Sequence, residues 1–126
     1  MNFKQNSYLL ASLGSADYLS LLNIVDAVVG NSSSGILEAP SLKKATINIG
    51  NRQNGRLMAS SIINTEPTYL EIKKSLIKIY KKEFQKNLKK TVNPYGKFGA
   101  SNKIIKKIKN LDLKNCIIKS FYDLKF

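Results

Sequence analysis

The feature that most constrains this chain is a pair of short β-branched runs, each halted by a glycine and followed by a polar loop. Asp26-Ala27-Val28-Val29-Gly30 is the first, and Ala45-Thr46-Ile47-Asn48-Ile49-Gly50 the second. Compact runs of this kind suit strands buried on both faces, as in parallel sheets. Between them lie Asn31-Ser32-Ser33-Ser34-Gly35, a small polar turn, and Ile36, Leu37 and Ala39, which open a short helix. That helix must end soon after Pro40, because proline is tolerated only near a helix end or at a kink. Ser61-Ile62-Ile63-Asn64 reads as a third strand. Strands alternating with helices predict βαβ units and right-handed crossovers. The predicted class is α/β, a Rossmann-like parallel sheet with flanking helices.

The remaining segments fit around that sheet. Tyr8-Leu9-Leu10-Ala11-Ser12-Leu13 is an apolar run ended by Gly14 and reads as a strand or its tail. A helix follows on Tyr18, Leu19, Leu21, Leu22 and Val25, with Ser15 or Asp17 as N-cap. Thr65 or Thr68 is expected to cap one long helix beginning near Pro67, on Ile72, Leu76, Ile79, Tyr80 and Phe84. It ends before the turn Asn93-Pro94-Tyr95-Gly96. Ser101 is expected to cap a last helix carrying Ile104, Ile105 and Ile108 on one face. The tail, residues 111–126, reads equally as a strand or a docking segment. The whole chain, residues 1–126, is expected to belong to one domain.

Composition then removes function classes. The chain has 126 residues, one Cys and no His. Without histidine, Ser–His–Asp and Cys–His catalysis and most zinc sites are excluded. Cys116 has no partner for an internal disulfide, which makes a reducing cytoplasm the expected compartment. No apolar run approaches the ~20 residues of a membrane span, and MNFKQNSYLL lacks a signal-peptide apolar region. Net charge is +13, from 21 Lys+Arg against 8 Asp+Glu, which raises the question of nucleic acid. The only arginines are Arg52 and Arg56, and the lysines crowd at 73–90 and 103–109 inside helical patterns. Solvated helix faces are the reading we favour for those lysines, since base and phosphate readers lean on arginine forks.

Ligands of open parallel sheets sit beyond the carboxyl ends of the strands. Those ends carry Gly30-Asn31-Ser32-Ser33-Ser34-Gly35 and Gly50-Asn51-Arg52-Gln53-Asn54-Gly55-Arg56, so the two most polar loops fall on one edge. Three serines and a glycine ahead of a helix can form an anion cradle from free N–H groups, the helix dipole and hydroxyl donors, with Gly35 allowing close approach. Equally, one serine can simply cap the helix. It is neither a P-loop nor GxGxxG. Glu38 lies about one turn inside the helix, where it can accept from ribose hydroxyls or form a capping box with Ser34 or Gly35. Arg52 and Arg56 suit diphosphate, with Gln53 and Asn54 as neutral donors; two exposed arginines in an ordinary loop are the alternative. Asn93–Ser101 is a third, aromatic loop, with Tyr95 packing on the sheet edge.

At these residues a family resemblance emerges. GNSSSGILEAPSLKKATINIGNRQNGR, residues 30–56, resembles the C-terminal nucleotide-binding domain of UDP-N-acetylglucosamine 2-epimerases, most of all the hydrolysing, sialic-acid-pathway kind. Ser12-Leu13-Gly14, Tyr18-Leu19-Ser20 and NPYGKFGAS, residues 93–101, fit as well. The resemblance covers roughly residues 7–109 and implies a glycosyltransferase-B-like fold with UDP in its cleft. It implies that Ser32 and Ser33 hold diphosphate, Ser34 and Gly35 complete the turn, and Glu38 grips the ribose. Arg52, Gln53 and Arg56 would line the same site, and Leu13 and Tyr18 would fall at the uracil pocket. The single Glu38 and Asn-Ser-Ser-Ser-Gly favour the hydrolysing branch over relatives that read Asp-Ser-Gly-Gly.

No cofactor and no metal are expected. Family members are about three times longer, and their acid–base carboxylates lie in an N-terminal domain. The expectation is therefore a truncated C-terminal domain with no catalytic residues of its own, inactive when alone. Its partners would be UDP-N-acetylglucosamine or UDP, with an N-terminal-domain polypeptide or a second copy as possible companions, and neither membrane nor nucleic acid. The implied reaction yields N-acetylmannosamine and UDP. Rival readings are a glycosyltransferase of the same fold and a basic nucleic-acid-binding module.

Overall fold

The computed structural model describes residues 7–96, 99–111 and 123–124. Helix α1 (Gly14–Ile24) leads into β1 (Ala27–Gly30). One helical turn, α2 (Ser34–Leu37), and a 3-10 turn (Ala39–Leu42) then lead to β2 (Ala45–Ile49). After the arginine loop come β3 (Ile62–Thr65), α3 (Tyr69–Ile79) and α4 (Lys82–Lys89). The three strands form a parallel sheet in the order β1-β2-β3. This is the predicted α/β architecture of parallel strands with flanking helices. Among the described residues no helix is long and apolar enough to cross a membrane.

The central strand explains itself. Four of the five β2 residues are buried, because helices cover both of its faces. One face carries Ala45 and Ile47, which join Ile63, Ile79 and Leu88 in the core, with Ala27, Ile49 and Phe84 against it. Ile47 and Ile79 are fully enclosed, and such burial stabilises by about 1.5–3 kcal/mol per side chain. The other face carries Thr46 and Asn48, both buried. Asn48 sits in register with Asn64 of β3 and donates to its Oδ1 at 2.8 Å. Register also pairs Gly30 with Asn48, so β1 and β2 end level and their loops leave the sheet side by side. Gly50 closes β2 at φ +74°, a conformation open to glycine at little cost.

Local expectations fare unevenly. Thr68, not Thr65, caps α3, its Oγ1 accepting from Glu71 N at 3.4 Å. Thr65 instead ends β3 and shares a buried hydrogen bond with Ser75 at 3.0 Å. The single long helix is two helices: Lys81 is extended (φ −67°, ψ 139°) between α3 and α4. Gln85 Nε2 donates to the Ile79 carbonyl at 2.6 Å, occupying an acceptor that the break exposes. Tyr80, at the break, donates from its hydroxyl to Asp26 Oδ2 at 3.1 Å.

Residues 7–13 do not form a strand; Tyr8 and Leu9 are 89% and 77% exposed, and among the described residues no strand pairs with them. Leu13, rather than Ser15 or Asp17, occupies the N-cap of α1, and Asp17 lies in the first turn, where its charge suits the helix start. Asn93 Nδ2 donates to the Leu37 carbonyl at 2.8 Å and to Ser41 Oγ at 2.7 Å, tying the third loop to the end of α2. Tyr95 is 44% exposed.

Residues from Gly96 onward make a separate unit. Its helix α5 (Ala100–Lys109) has Gly99 at the N-cap, and Ser101 lies inside the first turn without a capping bond. Ile104, Ile105 and Ile108 are all at least half exposed. Lys97, Phe98 and most of the 111–126 tail, Cys116 included, lie outside the described residues.

Candidate functional site

The three serines have three different occupations. Ser32 Oγ accepts from Ser34 N at 3.3 Å, bracing the turn. Ser33 stands at the N-cap of α2 with no side-chain bond to the helix, so its hydroxyl is not spent on capping. Ser34 Oγ donates to Glu38 Oε2 at 2.6 Å and also hydrogen-bonds the Tyr18 hydroxyl. Serine has one proton to give, and the carboxylate can only accept. The direction is therefore fixed: Tyr18 donates to Ser34, and Ser34 donates to Glu38. This relay aims one carboxylate oxygen and leaves Oε1 for a further donor. It speaks against the capping-box reading of Glu38, because a capping box would turn the carboxylate back to a backbone N–H, whereas here it accepts from the Ser34 hydroxyl.

Gly35 carries a packing constraint that the sequence does not show. It is buried against β2, and a Cβ there would stand 2.6 Å from Thr46 Cγ2. Thr46 Oγ1 donates to the Gly35 carbonyl at 2.8 Å, so the threonine cannot turn away without losing that bond. The glycine permits close packing of helix on strand. The helix dipole also contributes less than expected. The α2 helix is a single turn of four residues, so electropositive character at its start comes from individual N–H groups rather than a summed macrodipole.

Leu13, Tyr18 and Glu38 line one cavity of about 430 Å³, together with Leu10, Ser12, Gly14, Ser15 and Leu19. Residues drawn from the start of α1 and the end of α2 thus converge. Neither Ser12 nor Gly14 stands out in the sequence as a cavity residue. Their membership follows from α1 starting at Gly14 rather than near Asp17.

The arginine loop contributes differently. Arg52 and Arg56 are exposed, and the ion pair among the described residues, Glu71–Lys74 at 2.6 Å, involves neither. Gln53 is buried and its Nε2 donates to the Asn31 carbonyl at 2.7 Å, which links this loop to the serine loop. The expectation that the two loops share one edge therefore holds. Neither arginine lines the Tyr18–Glu38 cavity. A second cavity of about 420 Å³ lies beyond β2 and β3, lined by Gly50, Asn51, Asn54, Asn64, Thr65, Glu66, Pro67 and Glu71. Its polar lining was visible in the sequence only as scattered asparagines and glutamates.

Comparison with known proteins identifies the family. Residues 1–109 match the family described as UDP-N-acetylglucosamine 2-epimerase. The chain is 47% identical over 117 residues to GDP/UDP-N,N'-diacetylbacillosamine 2-epimerase (hydrolyzing) of Campylobacter jejuni, covering 92% of this chain and 30% of that protein. It is 38% identical over 116 residues to polysialic acid biosynthesis protein P7 of Escherichia coli, covering 91% and 30%. It is 31% identical over 102 residues to UDP-N,N'-diacetylbacillosamine 2-epimerase (hydrolyzing) of Legionella pneumophila, covering 81% and 26%. The chain therefore spans about a third or less of these relatives' length. Parallel strands, serine loop and arginine loop lie together within the matched residues, and the chain belongs to the UDP-N-acetylglucosamine 2-epimerase family.

Proposed function

We propose that this chain is the UDP-binding part of a hydrolysing 2-epimerase. The observation that carries the reading is the Tyr18–Ser34–Glu38 relay, which ties the carboxylate of a cavity-lining glutamate to the serine loop. Glu38 accepts from the ribose hydroxyls of UDP, and Leu13 and Tyr18 flank the base. Ser32, Ser33 and the first N–H groups of α2 take the diphosphate, and Arg52 and Arg56 approach it from the neighbouring loop. In the reaction of the intact enzyme, UDP leaves the sugar, the resulting glycal is hydrated, and N-acetylmannosamine is released. This chain's share is to stabilise the charge that develops on the departing diphosphate. The acid–base groups come from elsewhere, so the chain alone binds but does not turn over.

For the sugar, UDP-N-acetylglucosamine is the first reading. A nucleotide-linked N,N'-diacetylbacillosamine is the second, favoured by the name of the relative that shares 47% identity. Binding through the nucleotide is common to both.

Titration with UDP, uridine and free diphosphate, read by calorimetry, tests the site. Glu38→Gln is expected to weaken UDP about tenfold, as loss of a charge-assisted hydrogen bond would, while free diphosphate binds as before. Equal UDP affinity in Glu38→Gln and the wild type would remove the ribose assignment. The chain alone, incubated with UDP-N-acetylglucosamine, is expected to release neither UDP nor N-acetylmannosamine.

A further inference from the structure

Within the loop Asn51–Arg56 five residues are exposed and one is buried. The buried residue is Gln53, at 3% exposure. A side-chain amide is costly to bury, and this one is buried beneath a loop whose other side chains stay in water. Its Nε2 makes the 2.7 Å bond to the Asn31 carbonyl, while its Oε1 is enclosed without a partner among the described residues. A residue needed only to fill the space would serve better as Met or Leu, which leave no oxygen unmet. The amide is explained by the bond it makes.

That bond has leverage. The Asn31 carbonyl belongs to the planar peptide whose other polar group is Ser32 N–H, so holding the oxygen also fixes the direction of that N–H. On the other side, Gln53 is covalently next to Arg52. One side chain thus controls the orientation of a serine-loop donor and the placement of a guanidinium. We propose that Gln53 is a positioning residue that clamps the arginine loop to the serine loop, so that both halves of the anion site form as one unit. It acts through Arg52 and the Asn31–Ser32 peptide and does not itself touch the ligand. The proposal rests on the nucleotide-binding reading above and revises the place that the resemblance gives Gln53 as a ligand contact.

Two readouts test it on the 126-residue chain. The first needs no ligand. Gln53→Met keeps the volume and removes the donor, so the Ser32 amide resonance is expected to shift by NMR, whereas Asn54→Ala leaves it in place. The second is a double-substitution cycle on UDP affinity, with Gln53→Met, Arg52→Lys and the pair. A clamp predicts a loss of about three- to tenfold for Gln53→Met, with the pair scarcely weaker than the worse single variant, because the two act through one interaction. An unmoved Ser32 amide, or losses that multiply in the pair, would overturn the proposal, the latter by showing an independent ligand contact. Should Gln53→Met fail to fold, Gln53→Asn keeps the amide but is too short to reach Asn31, and it carries the same expectations. If the wild type binds no UDP, the nucleotide reading fails, while the Ser32 shift still decides whether the clamp exists.

Discussion

The serine loop and the arginine loop leave the same edge of the sheet, yet they are held by opposite means. The first is built into the core. Gly35 is pressed on Thr46, Ser34 is bonded on two sides, and the end of α2 is tied down by Asn93. The second is almost entirely in water and reaches the first through Gln53. The difference separates what each loop spends its residues on. On the proposed reading, substitutions in the serine loop are expected to act on stability and binding together, because its geometry is the packing. Substitutions at the exposed arginines are expected, on the same reading, to act on binding alone, because little of the fold leans on them.

The largest effect expected to separate the two loops is that of Gly35→Ala. Its new methyl meets a buried, β-branched side chain that is itself hydrogen-bonded, and overpacking of this kind costs about 1–3 kcal/mol. The denaturation midpoint should fall, and UDP affinity with it. Adding Thr46→Ser removes Cγ2 and keeps the hydroxyl, so the pair should recover much of the loss. No recovery would mean that Gly35 is needed for something other than room beside Thr46.

Arg52→Lys comes next. The denaturation midpoint should stay within the roughly ±0.5 kcal/mol typical of surface changes, while UDP affinity falls about tenfold because an ammonium cannot reproduce a guanidinium fork. A fall in stability would erase the contrast between the loops. Tyr18→Phe is smaller. It removes the outer member of the relay and keeps the ring, so UDP should weaken only a few-fold, by about 0.5–1.5 kcal/mol, as for a single neutral hydrogen bond. An unchanged affinity would leave Ser34 as sufficient to aim Glu38.

The smallest prediction lies at the opposite end of β1, away from both loops. The hydrogen bond from Tyr80 to Asp26, and then the aspartate's charge, hold the phenol proton more tightly, pushing Tyr80 above the usual tyrosine range. A raised native value stabilises the fold below the unfolded phenol's pKa and is lost as pH climbs through the native one. The contribution is slight at so exposed a residue. Absorbance titration of Asp26→Asn should show one tyrosine ionising at lower pH than in the wild type.

Much of the fold was legible because it follows from local pattern. The runs ending in Gly30 and Gly50 became β1 and β2 with bounds close to those read. The break after Ile79 was not legible, since apolar spacing continues through Phe84 to Leu88 and no glycine or proline marks the stop. Tyr8–Leu13 misled because an apolar run becomes a strand only beside another strand. At the site, serines, glutamate and arginines were picked out by chemical type. The relay depends on Tyr18, sixteen residues before Ser34, and the clamp on Gln53, twenty-two residues after Asn31. Contacts at such separations are set by topology, which no window of neighbouring residues contains.

The Asn48–Asn64 pair determines more than a bond. Strands rich in isoleucine are tolerant partners: sliding β3 by two residues keeps every side chain on its own face. Such a slide would bring Asn48 opposite Ile62 and strand a buried amide, at a cost of about 1–3 kcal/mol. The matched asparagines act as an alignment key, admitting one pairing among several that hydrophobicity alone would accept. Because β1 and β2 already end level, that key also sets how far the arginine loop's return strand is drawn along the sheet.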